Sequence, residues 1–305
     1  MNQKKTLIVI TGPTAVGKTS IAIDIAKFFN AEIVSADSRQ FYREMSIGTA
    51  KPSEFELESV KHHFINSHSI FESFSAGEFE TAALNLLEKL FQEKDIVLLV
   101  GGSGLFIKAV CEGFDSLPSA DLSIRESLNN QYLNEGIEFL TKKLENIDPV
   151  YFDIVDKSNP QRLIRAIEVF ESTGKPYSGF LTSAKNLRPF NIVKIGLNLP
   201  RAILYQRIND RVDLMVQQGL IKEVESLLEY RNLNSLNTVG YSELFNFFDG
   251  EYDLKSAIVL IKQNTRRFAK RQLTWFRKDE DITWIDANTS MHDLEIILNK
   301  LINNK

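Results

Sequence analysis

Apolar residues gather in four short runs, at residues 6–11, 32–35, 95–100 and 192–197, each closed by glycine or polar residues. Such runs are too short for free-standing helices and predict buried strands, with the continuous apolar character of a parallel sheet. Between them the period changes. Residues 21–29 put Ile21, Ile25 and Phe28 on one side, and residues 76–91 do the same with Phe79, Ala83, Leu86, Leu87 and Leu90, the spacing of helices that lie on a sheet. From about Leu117 to Ile192 the strand pattern is absent and helix punctuation replaces it. Asp148-Pro149 and Asn159-Pro160 each read as an N-cap followed by proline in the first turn, and Gly174 stops the second helix. In that helix Leu163, Ile167 and Phe170 point inward, and Arg162 and Arg165 share another face. Pro200 opens a further helix with Leu204, Ile208 and Met215 as its buried stripe, and residues 265–276 end in Trp275 and Phe276.

The first strand runs into Gly12-Pro13-Thr14-Ala15-Val16-Gly17-Lys18-Thr19 and then a helix, the context in which G-x-x-x-x-G-K-[ST] means a phosphate cradle. Backbone N–H groups and the positive end of the helix would face an anion, Lys18 would add a point charge, and the Thr19 hydroxyl would ligate Mg2+. The loop predicts polyphosphate binding without naming the molecule. The expected fold is therefore α/β, a P-loop NTPase-like parallel sheet flanked by helices, built from residues 1–114 and 191–305 and interrupted by an all-helical insertion at 115–190. Asp37 follows the second strand, at the carboxyl edge where ligands of open α/β sheets bind. The third strand ends in glycine, not in the acid that commonly holds magnesium in P-loop ATPases; Gly101 and Gly102 suggest a close approach of another backbone. Arg207 and Arg211 stand one helical turn apart and could reach one anion together.

Composition is that of an ordinary globular chain, 43% apolar and 25% charged, which excludes disordered and fibrous classes. No apolar run approaches the roughly 20 residues of a membrane span and no signal-like segment opens the chain. Cys111 is the single cysteine, so neither an intrachain disulfide nor a cysteine zinc site is expected, and the chain reads as cytoplasmic. His62, His63 and His68 read as loop histidines, without the further ligands a metal site needs. The net charge of −4 hides an asymmetry: residues 261–278 carry seven basic side chains and no acid, leaving −11 on the rest. A positive field concentrated on one helix suggests a polyanionic partner.

Several segments together carry a resemblance: GPTAVGKT (12–19), SADSRQFY (35–42), IGTAKP (47–52), LVGGSGLF (99–106), NPQRLIRAIEV (159–169), VGY (239–241) and TRRFAKRQLTWF (265–276). In this order, over nearly the whole chain, they resemble the bacterial tRNA dimethylallyltransferases, also called tRNA isopentenyltransferases. The resemblance implies transfer of a dimethylallyl group from dimethylallyl diphosphate to N6 of the adenosine at tRNA position 37, with Mg2+, inside a channel that a flipped adenine enters from one end and the diphosphate from the other. Asp37 would be the base, and Lys18, Thr19 with its metal, and Arg211 would hold the leaving diphosphate. The anticodon stem-loop would meet Asp37, Ser38, Arg39 and Gln40, Ser103, Arg125 and the insertion residues Gln161, Arg162, Leu163, Ile164 and Arg165. It would also meet Asn237, Thr238, Val239, Gly240, Tyr241 and Ser242, and Arg266, Arg267, Lys270, Arg271 and Gln272 of the basic helix, so that insertion and basic helix grip it from two sides. Ser103 and Phe106 stand where relatives often carry Thr and Tyr, and the Cys/His zinc module of eukaryotic relatives is missing. A monomer with no membrane association is expected. Two other readings fit part of the pattern: a P-loop small-molecule kinase, which has no use for the basic helix, and a non-catalytic, nucleotide-switched RNA-binding module, which has no use for Asp37 beside the phosphate site.

Overall fold

The computed structural model describes residues 5–115, 117, 118, 121–181 and 186–304. It falls into two compact units, residues 1–111 with 188–305, and residues 112–187.

The larger unit is built on a six-stranded sheet, every pairing parallel: β1 (Thr6–Thr11), β2 (Ile33–Ser35), β3 (His62–His63), β4 (Ile96–Val100), β5 (Asn191–Asn198) and β6 (Ile282–Asp286), in the spatial order β3-β2-β4-β1-β5-β6. The expected α/β parallel sheet is thus the observed one; β3 and β6 had no counterpart in the apolar pattern. β1 and β4 are buried along their whole length, which is why both lack polar alternation. Their side chains divide between two cores. Ile8, Ile10 and Leu98 pack with Ile25 of helix Lys18–Phe28 and Leu298 of helix Met291–Asn303, whereas Leu7, Val9 and Leu99 pack with Phe79 and Leu87 of helix Ala76–Glu93 and Ile107 of helix Gly104–Glu112. A third core, with Met45, Val212, Leu220, Leu236, Tyr241, Leu244 and Ile261, joins the turns after β2 to helices Arg201–Gln217, Leu220–Glu225, Tyr241–Phe248 and Leu254–Phe276.

Parallel strands put their carboxyl ends on one edge. There β1 opens into the phosphate loop, β2 into Ala36 and Asp37, and β4 into Gly101. Gly101 N–H donates to Ile10 O (3.2 Å), Ala36 N–H to Val100 O (2.7 Å) and Ser103 N–H to Ala36 O (3.3 Å). A Cβ on Gly101 would lie 2.2 Å from Ala36 O. The close backbone approach read from the glycine is made by the residue before Asp37.

The smaller unit is helical: Leu122–Glu135, Ile137–Ile147, Pro149–Ile154 and Pro160–Thr173 surround Leu128, Leu140, Leu144, Leu163 and Ile167. Asp148 accepts from Tyr151 N–H (3.0 Å) and Asn159 from Arg162 N–H (3.2 Å), each with proline in the first turn, and Gly174 ends the last helix at φ 70°. Phe170, expected in the core, is only half-buried; Ile164, Ala166 and Val169 take its place.

Candidate active site

The phosphate loop keeps its shape by backbone torsions few residues accept: φ is 143° at Gly12 and 105° at Gly17, and a Cβ on Gly12 would sit 2.7 Å from Leu197 O. Lys18 folds over the loop and donates to Gly12 O (3.0 Å) and Pro13 O (2.9 Å). Burial pulls its ammonium down to about 8, with the neighbouring Asp37 carboxylate opposing the shift and Arg211 adding to it. Arg211 donates to Thr14 Oγ1 (3.3 Å) and Arg207 to Val16 O (3.2 Å); both arginines, expected to reach one anion together, touch the phosphate loop. The Thr19 side chain makes no hydrogen bond among the described residues and stands at the start of helix Lys18–Phe28. One hydroxyl suits magnesium, which keeps several waters and takes its other ligands from phosphate oxygens.

Gln272 closes the loop from the far end of the chain. Its Oε1 accepts from Thr14 N–H (2.8 Å) and its Nε2 donates to Gly102 O (2.9 Å). A Cβ on Gly102 would be 2.4 Å from that nitrogen. Gln272, which the resemblance implies to be an RNA contact, is buried, with its amide held by the phosphate loop and Gly102.

Asp37 lies in a tight turn: its Oδ1 accepts from Arg39 N–H (3.1 Å) and its carbonyl from Gln40 N–H (3.1 Å). The next three side chains bind protein groups. Ser38 N–H donates to Ser103 Oγ (3.0 Å), which donates on to Ser38 Oγ (3.1 Å). Arg39 spreads its guanidinium over the carbonyls of Asn234, Ser235 and Asn237 at 2.8–3.1 Å, and Gln40 donates to Thr49 O and Ala50 O. Arg39 and Gln40 thus shape the walls around Asp37.

These elements enclose a cavity of about 710 Å³. Thr14, Asp37, Ser38, Arg39, Ser103, Arg211, Asn237, Thr238, Val239, Gly240, Ser242, Arg271 and Gln272 line it, with Phe106, Met215, Phe268 and Trp275 among its apolar members. Tyr241 is absent from that wall. Expected at the RNA, it is wholly buried, and its hydroxyl donates to Glu223 (2.6 Å). Glu223 and Glu243, which accepts from Gly240 N–H and Asn264, escaped sequence reasoning because no local motif marks them.

Beside the cavity, Arg267, Lys270, Arg271, Thr274, Trp275 and Lys278 line a shallower groove of about 400 Å³ on helix Leu254–Phe276. Arg266 is set apart by its bond to Asn209 (2.6 Å). In the insertion, Gln161 and Arg162 are exposed, but Leu163 and Ile164 are core residues whose side chains offer nothing to a nucleic acid. Arg125 and Arg165 are drawn to Glu168, itself fully buried, at 2.7 and 3.3 Å; a buried carboxylate needs such partners, so these two cations serve the insertion's own fold.

His63 pairs with Glu32 (2.7 Å) and His62 with Val60 O (2.8 Å). Among the described residues no cluster of three His, Cys, Asp or Glu could hold a metal, and no helix is long and apolar enough to cross a membrane.

Known proteins are similar to this chain. A tRNA dimethylallyltransferase of Cytophaga hutchinsonii is 52% identical over 280 residues, 92% of each chain, and one of Christiangramia forsetii is 51% identical over 97% of this chain and 98% of its own. Among solved structures, the tRNA isopentenylpyrophosphate transferase of Bacillus halodurans superposes with a TM-score of 0.72 at 38% identity, covering 99% of this chain and 96% of its own. A eukaryotic dimethylallyltransferase acting on tRNA superposes with a TM-score of 0.82 at 27% identity, covering 99% and 80%. Residues 40–279 match the IPP transferase family, well over half of the sequence: the chain belongs to that family.

Proposed function

We propose that this protein transfers the dimethylallyl group of dimethylallyl diphosphate to N6 of the adenosine at position 37 of tRNA and releases diphosphate. The observation that carries the reading is one cavity with a carboxylate, Asp37, and Thr14 of the phosphate loop and Arg211 on its walls, with Lys18 folded over that loop and a basic groove beside it. The names of the relatives agree with it.

An exocyclic amine is a weak nucleophile. Asp37 accepts its proton as the C–N bond forms, while the C–O bond to the diphosphate breaks and its electron pair leaves with the diphosphate. Lys18 and Arg211 gather the charge that grows on the departing oxygens. Thr19 would hold Mg2+ against the same diphosphate, a Lewis acid for the leaving group. The loop binds an isoprenoid diphosphate in this reading, not a nucleotide. The adenosine must leave its stack, at a cost of a few kcal/mol recovered in contacts within the pocket; Ser38, Ser103 and the wall from Asn237 to Ser242 supply them. The groove of Arg267, Lys270 and Arg271 takes RNA phosphates, and Gln161 and Arg162 give the insertion its own contact. All these residues come from one chain, so a cytoplasmic monomer suffices.

The test is mass spectrometry of nucleosides digested from tRNA with an A36-A37-A38 tract, after incubation with protein, Mg2+ and dimethylallyl diphosphate. N6-dimethylallyladenosine is expected, and none with ATP alone. ATP consumption without that nucleoside would overturn the reading. Asp37→Ala should lower kcat roughly a hundredfold and leave tRNA affinity unchanged.

A further inference from the structure

A dense convergence of hydrogen bonds in the larger unit lies at the carboxylate of Glu223, which is not itself part of the cavity wall. Its Oε2 accepts from Ser46 N–H (3.0 Å) and Ile47 N–H (2.8 Å), and its Oε1 from Gly48 N–H (2.9 Å) and Tyr241 Oη (2.6 Å). Three successive backbone amides curled on one anion form a nest. The packing leaves no slack: a Cβ on Gly48 would stand 2.5 Å from the Tyr241 ring. Beyond the nest, Thr49 and Ala50 line the cavity and receive the side-chain amide of Gln40 at 3.2 and 3.1 Å. Gln40 N–H in turn closes the turn on Asp37 O.

We propose that Glu223 is a positioning residue for Asp37, acting through loop 46–50 and Gln40 to hold the carboxylate at the angle the amine requires. The carboxylate's two oxygens accept from all four neighbours, three backbone amides and the Tyr241 hydroxyl. An amide would turn its own N–H groups toward backbone N–H groups and loosen the loop. Glu223 hydrogen-bonds to none of Lys18, Thr19, Arg211 or the groove cations of helix Leu254–Phe276, so neither diphosphate binding nor the grip on RNA phosphates runs directly through it.

The inference rests on Asp37 as the base, and a double-mutant cycle separates the two claims. Glu223→Gln should lower kcat roughly 10- to 100-fold, the scale of a misplacement of about 1 Å, with KM for dimethylallyl diphosphate and Kd for tRNA within about twofold of wild type. In an Asp37→Ala background the same substitution should cost nothing further, because nothing remains to position. Tyr241→Phe, which removes one donor of four, should show a smaller kcat loss that also vanishes in that background; it carries the test should Glu223→Gln not fold. An equal loss in both backgrounds would make Glu223 a purely structural residue and overturn the proposal while sparing the base. Wild-type turnover by Asp37→Ala would overturn both.

Discussion

Gly101→Ala perturbs the floor of the site with a single methyl group. The new Cβ would meet Ala36 O at 2.2 Å, and since that oxygen belongs to the backbone, one strand end must move by roughly 1 Å to restore contact distance. The movement acts on the residue before Asp37 and strains the bonds from Ala36 N–H to Val100 O and from Ser103 N–H to Ala36 O. Overpacking costs about 1–3 kcal/mol and a weakened buried hydrogen bond about 1 more, so a loss of roughly 2–4 kcal/mol is expected. In a chain of this size that lowers Tm by about 3–6 °C. Displacing Asp37 by a similar distance should reduce kcat about a hundredfold, while the phosphate loop keeps KM for dimethylallyl diphosphate near its original value. Gly77→Ala is the control: it lies in helix Ala76–Glu93 with nothing within 4 Å of a new Cβ, and should raise stability by up to about 1 kcal/mol. Thermal melts and steady-state kinetics of the two variants suffice. A Gly101→Ala protein with the wild-type Tm and kcat would refute the argument that the two strand ends are locked together.

Two further outcomes follow from the charged groups. Burial holds Lys18 near 8 and the ammonium is the form that grips diphosphate, so kcat/KM for dimethylallyl diphosphate should be level below about pH 8 and fall about tenfold per unit above it. Lys18→Arg, charged throughout, should lose that alkaline limb, and a wild-type profile level to pH 10 would contradict the assignment. Replacing Arg267, Lys270 and Arg271 with Ala should weaken tRNA binding and flatten its dependence on salt by up to about one log unit per lost phosphate contact; Arg125→Ala, which takes from buried Glu168 one of its two cationic partners, should lower Tm and leave the slope alone. An unchanged slope in the triple variant would remove the groove from RNA binding.

The parts of the fold legible in the sequence are those whose cause is local. The apolar runs at 6–11 and 95–100 could only be buried strands, and the Asp148-Pro149 and Asn159-Pro160 pairs cap their helices with the side-chain bonds their chemistry requires. The glycine after Val100 announced a close neighbour, and only the structure could say that it is Ala36. Site residues were harder because a motif marks a position without telling which way the side chain faces. Leu163, Ile164 and Tyr241 lie inside matching segments yet point into cores, and Arg39 and Gln40 spend their donors on carbonyls of other loops. Glu223 gathers amides 175 to 177 positions away, a separation at which no periodicity or spacing rule operates. β6 pairs only along one side, at the sheet edge, and so lacked the apolar run that betrays a central strand.

The amide of Gln272 has a consequence for how the protein comes into being. It closes the phosphate loop by accepting from Thr14 N–H across 258 positions, and the sheet that supports the loop acquires β5 and β6 only after the insertion has been made. While the chain emerges from the ribosome, its most recognisable segment is therefore a fragment without a lid. Competence to hold a diphosphate arrives late, with the same helix that carries the basic groove, and contacts of such long range make for slow folding. A nascent chain surrounded by polyphosphates and RNA thus completes its phosphate loop and its basic groove nearly at once, when the helix that joins them docks.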